Sequence, residues 1–149
     1  MLKKTAVYED FEGNAVAETL HFFISKAELI ELEKTTPGGF VRRLQSIVKS
    51  ESTSGLDIAD LIKDFILISY GEKDVSPNGR ILFVKKRNGI PVRDEFEQSL
   101  AFEAIFSELV MDPDKAAAFI NGVMPQDLIE EAKKEQAKEK QISQSSENT

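Results

Sequence analysis

The spacing of apolar residues changes at Ser25, and that change constrains the fold more than any other feature. Before it, apolar positions alternate. Val16, Leu20, Phe22 and Ile24 fall on one face of an extended chain at period two. After it, they recur at helical spacing. Ser25-Lys26-Ala27-Glu28 carries the capping-box pattern, in which a Ser side chain and a Glu three residues later close a helix N-terminus reciprocally. A chain of this kind builds a sheet first and packs helices on it, an α+β fold that is mainly α-helical.

The strand part reads as an N-terminal β-hairpin. Thr5 to Phe11 is rich in strand formers, Gly13-Asn14 supplies a turn that tolerates positive φ, and Ala15 to Ile24 returns. Thr19 and His21 share the second face with Phe23, so the sheet is expected to be covered on part of both sides.

About five or six helices are expected to follow. The first carries Leu29, Ile30 and Leu32 and stops before Thr35-Thr36-Pro37-Gly38-Gly39. The second runs from Gly39 to about Ser50, with Phe40, Leu44, Ile47 and Val48 on one stripe. The third, Asp57 to Tyr70, is the most apolar and is expected to be central, with Gly71 as its stop. Glu72 to Gly79 reads as loop, Arg80 to Lys86 as a short strand and Asn88-Gly89 as a turn. One long helix is expected from Pro91 to Met111. Asp112 then caps a helix that begins at Pro113 and closes at Gly122, and Pro125 starts a last one through Leu128 and Ile129. Residues 1–129 form one globular domain in this reading, and 130–149 a charged helical extension with a disordered polar end.

Composition removes whole classes of chemistry. There is no Cys, so disulfide scaffolds and thiol catalysis are excluded. With a single His, relays and most transition-metal sites have too few ligands, and no cofactor or metal is expected. His21 sits mid-strand with no nucleophile beside it in the pattern, which favours a structural role. Glu9-Asp10-Glu12 and Asp112 with Asp114 match no calcium loop. Gly38-Gly39 precedes a helix but lacks the rest of a phosphate loop, so an interhelix turn is the better reading. An enzyme is not expected.

Lys plus Arg total 19 against 26 Asp plus Glu, a net charge of −7 that disfavours general nucleic-acid binding. The best local case for nucleic acid is Lys85-Lys86-Arg87, with Arg80, Arg93 and Phe83 nearby; a solvated hairpin tip explains it more simply. No apolar run reaches membrane-spanning length, and the N-terminus has no signal-like apolar core, so a soluble, intracellular protein is expected.

The surplus aromatic is Phe: ten of them, with two Tyr and no Trp. Most belong in a core. The amphipathic, Phe-rich helices around Phe40 and Phe102 are expected to leave some of them on an open apolar groove. The candidate groove residues are Phe40, Val41, Phe102, Ile105, Phe106, Leu109, Phe119, Ile120 and Met124.

Several segments in order resemble one family. They are VYEDFEGNAVAETLHFFISKAELIELE from Val7, GGFVRRLQSIV from Gly38, YGEK from Tyr70, RDEFEQSLAFEAIFSELVMDPDKAAAFINGVMP from Arg93, and the closing PQDL. Together they look like the tail assembly chaperones of long-tailed bacteriophages, over roughly Val7 to Leu128; the stretch Ile81 to Val92 is longer and more basic than that pattern. The resemblance implies a small non-catalytic holdase in the host bacterial cytoplasm. It would bind the tape measure protein and keep it soluble until tube subunits polymerise around it, and would be absent from the finished virion. The tail tube protein is a second candidate partner. In many such phages a frameshift yields a longer form, and the charged segment from Glu130 fits the short one. Two alternatives stay open: a structural tail component retained in the particle, and a nucleic-acid-binding regulator acting through Arg80 to Arg93.

Overall fold

The computed structural model describes residues 1–48 and 55–125. The helix expected after Pro125 and the tail from Glu130 lie outside the described residues. Strands β1 (Leu2–Glu9) and β2 (Ala15–Phe22) form the hairpin, in register from Leu2↔Phe22 to Glu9↔Ala15. Its tip is organised by Asp10. The carboxylate accepts the N–H groups of Glu12 (2.9 Å) and Asn14 (2.8 Å), and Gly13 takes φ +83°. These bonds, that from Asn14 first, hold the Asp10 carboxyl below its ordinary range.

Three helices follow: α1 (Lys26–Thr35), α2 (Phe40–Val48) and α3 (Gly55–Ser69). The capping box at Ser25 is complete. Its Oγ accepts the Glu28 N–H at 3.1 Å, and Glu28 accepts the Ser25 N–H at 3.2 Å. Gly38 and Gly39 turn the chain at φ +80° and +90°, and the Glu33 carboxylate then accepts the Val41 N–H at 2.5 Å. The N-terminus of α2 is thereby filled from within the chain, as an interhelix turn requires.

Beyond α3 the structure differs from the sequence reading. The helix passes directly into β3 (Tyr70–Val75), which pairs with β4 (Ile81–Val84) from Glu72↔Val84 to Val75↔Ile81. Residues 72–75 are therefore strand, not loop. Gly71 is not a helix stop: it pairs with His21 inside the sheet. A Cβ there would lie 2.3 Å from the Phe83 ring, and that close approach is what requires glycine. Strand order is β1-β2-β3-β4, all antiparallel, with β2 and β3 joined only through His21↔Gly71 and Phe22↔Tyr70.

A two-stranded ribbon, β5 (Lys86–Arg87) and β6 (Ile90–Pro91), turns at Asn88-Gly89 (φ 51° and 78°). The long helix expected from Pro91 to Met111 is two helices: α4 (Val92–Glu97) and α5 (Leu100–Met111). Ser99 caps α5 by accepting the Phe102 N–H at 3.2 Å, and the corner sets Phe96 edge-on to Phe102 with ring centres 5.7 Å apart. Helix α6 (Pro113–Val123) is capped by Asp112. Gly122 lies inside α6 rather than closing it, with Leu2 of β1 packed so near that a Cβ would sit 3.2 Å from it.

The helices cover one face of the sheet. Leu20 and Phe22 turn inward, and Phe22 meets Phe119 edge-on at 4.9 Å, with Phe96 and Tyr70 on its other sides. Phe65 reaches Phe119 at 5.8 Å, linking α3 to the same cluster. Burying such a ring contributes roughly 1.5–3 kcal/mol. On the second face, no helix among the described residues packs, and the cover expected over part of it comes from within the sheet. Phe23 is covered there by Phe83 of β4, edge-on at 5.7 Å.

Candidate functional site

The nine candidate groove residues gather in one place, but that place is the core. Phe40, Phe102, Ile105, Leu109, Phe119, Ile120 and Met124 are all buried, and only Val41 and Phe106 stay partly exposed. The reason is geometric: α5 and α6 pack on β1 and on each other, and α2 packs on α6. Phe102 stacks on Phe106 at 5.6 Å, and Phe40 on Phe65 at 6.4 Å. The expected open groove on these residues is therefore a closed core in this conformation. Of the nine, Phe119 lines a surface hollow, one of about 300 Å³ beside Lys4 and Glu108.

A larger cleft, of about 470 Å³, opens on the other side of α1. Ala27 and Leu32 of α1 form one wall, and Leu67, Ile68 and Tyr70 form the base. Pro91 closes the far side, and Glu28, Glu31, Lys86 and Arg93 stand around the mouth. The sequence reading missed this site because its walls come from α1, the end of α3 and the β5–β6 ribbon, which no local pattern connects. The nearest signal was Pro91, placed just after the Asn88-Gly89 turn.

Lys85 holds the cleft together. Its ammonium donates to the carbonyls of Phe23 (2.9 Å) and Ile68, and lies 3.5 Å from the Glu28 carboxylate. It thus ties the end of α3 to the start of α1. Burial pushes its pKa below the ordinary lysine value, and Glu28 opposes that shift. Tyr70 stacks on Phe96 at 3.9 Å, and burial pushes its phenol up to about 12.

These pairings dissolve the basic cluster. Lys85 points inward, and Arg87 is bound by Asp74 at 3.0 Å and Glu72 at 3.5 Å. Lys86 remains exposed, so no run of three free cations exists for a phosphate backbone.

His21 has Lys3 and Lys73 as charged neighbours. Partial burial, then those two cations, lower its pKa. No group of three or more His, Asp or Glu gathers to hold a metal among the described residues. No helix among them is long and apolar enough to cross a membrane.

The cleft thus combines apolar lining from Leu32, Leu67, Ile68 and Tyr70 with the charged side chains of Glu28, Glu31, Lys86 and Arg93. A family model described as phage tail assembly chaperone matches residues 1–149, and the chain belongs to that family. No curated protein and no solved structure matches it.

Proposed function

We propose that this tail assembly chaperone binds the tape measure protein in the host cytoplasm and keeps it soluble until tube subunits enclose it. The observation that carries the reading is the 470 Å³ cleft, apolar at its base and charged at its mouth, on a chain with net charge −7. A tape measure chain is helical, with apolar residues at regular spacing. One such stripe can set side chains against Leu32, Ile68 and Tyr70 while its polar flanks meet Glu31 and Arg93. The net negative charge then keeps the complex dispersed.

No chemical step is needed for this activity; the cleft works by covering apolar area that would otherwise aggregate. Co-expression with the tape measure protein of the same genome tests it. The long partner is expected in the soluble fraction only when this chain is present. A partner that stays insoluble regardless contradicts the reading. Copies of this chain in purified virions would instead favour a retained tail component.

A further inference from the structure

The face of the sheet turned away from the described helices sorts charge in a way the inner face does not. Strand alternation sends Glu18, Glu72 and Asp74 inward, where Arg87 binds the last two. It sends Lys3, His21 and Lys73 outward: Lys3 pairs with His21, His21 with Gly71, and Lys73 follows two residues along. Among the strand residues of β1 to β4, Glu9 at the hairpin end is the one acid on that face. Neither Lys3 nor Lys73 has an ion-pair partner among the described residues, whereas Lys4, Lys63, Lys85, Arg87 and Lys115 all do. Beside Lys73 a hollow of about 190 Å³ lies over Phe23 and Phe83, flanked by Ile81 and Leu82. Val75 and Ile81 are 63% and 67% exposed there.

We infer that this outer sheet face docks an acidic segment of a partner polypeptide, one that sets carboxylates on Lys3 and Lys73 and an apolar side chain into the Phe23–Phe83 hollow. Charge complementarity selects the occupant. Two unpaired cations on an acidic protein attract carboxylates and repel basic chains. The adjoining aromatic hollow favours a polypeptide with an apolar side chain over a nucleic acid, because two lysines neutralise too few phosphates to hold a strand. A second copy of this chain docked through the same face would set Lys3 and Lys73 against their own counterparts, and like-charge repulsion disfavours it. This surface lies apart from the α1 cleft, and the inference stands without the tape measure reading.

The test uses the full chain and two fluorescein-labelled peptides, one of alternating Glu and Leu and one of alternating Lys and Leu, read by fluorescence anisotropy. The Glu-Leu peptide is expected to bind, to weaken with added salt, and to lose about tenfold or more in affinity with Lys3→Glu/Lys73→Glu. The Lys-Leu peptide is expected not to bind that face. Ile81→Ser is expected to weaken the Glu-Leu peptide without changing the salt dependence; circular dichroism verifies that each variant is folded. Equal binding of both peptides, no binding of either, or an unchanged affinity in the folded double variant overturns the inference. So does full competition by a single-stranded oligonucleotide, or a dimer in sedimentation that Lys73→Glu dissociates.

Discussion

The Phe83 ring lies over the backbone of Gly71, so close that a Cβ on Gly71 would come within 2.3 Å of it. Phe83 is also held edge-on by Phe23, so it cannot yield without losing that contact. Gly71→Ala is therefore expected to destabilise the fold by about 1–3 kcal/mol. In a Phe83→Ala background the same substitution should cost much less. Urea unfolding of the four proteins gives the coupling directly, and additive effects would show that the ring is not the obstacle.

Lys85 and Lys86 are neighbours with opposite fates. Lys85→Met removes the donor to two carbonyls and the ion-pair partner of Glu28, and should cost about 1–3 kcal/mol. Lys86→Met should stay within about 0.5 kcal/mol. Equal effects in thermal or urea unfolding would contradict the bracing role of Lys85.

The two tyrosines ionise differently, and with no Trp present phenolate absorbance reads them cleanly. Tyr8 is raised chiefly by its hydrogen bond to Glu18, and Tyr70 is raised by burial to about 12. An unfolded chain ionises Tyr70 near the ordinary tyrosine value of 10.0, so the folded state holds the proton longer. Stability contributed by the neutral, stacked phenol is present below pH 10 and is lost as pH rises toward 12. A Tyr70→Phe variant should lose that alkaline decline. A Tyr70 that titrates with free tyrosine would contradict its packing on Phe96.

Phe119 and Phe102 are core residues, so Phe119→Ala and Phe102→Ala are expected to cost about 3–5 kcal/mol. Loss of partner binding in these variants should accompany loss of fold. A folded Phe102→Ala protein that had lost only binding would restore the groove expected on the Phe-rich helices.

Local signals in the chain were legible and long-range ones were not. The caps at Ser25 and Asp112 and the turn at Asn88-Gly89 depend on residues within a few positions, so the pattern placed them correctly. Strand β3 was hidden because Glu72-Lys73-Asp74 looks like a polar loop until β4 pairs with it. The α4–α5 corner had a signal in Ser99, followed by Glu103 in the first turn of α5, but apolar residues on both sides masked it. Burial of the Phe-rich set could not be read from amphipathicity, which states that a helix has an apolar face and not what covers it.

The cleft account is tested most directly by Ala27→Glu. Ala27 is exposed on the cleft wall in the first turn of α1, where an acidic side chain suits the helix and obstructs the cleft. Co-expression with the tape measure protein, scored as the soluble fraction of that partner, compares this variant with the unaltered chain. The account predicts a soluble complex with the unaltered chain and a precipitated partner beside a folded, soluble Ala27→Glu protein. Equal solubilisation by both would contradict the cleft as the binding surface.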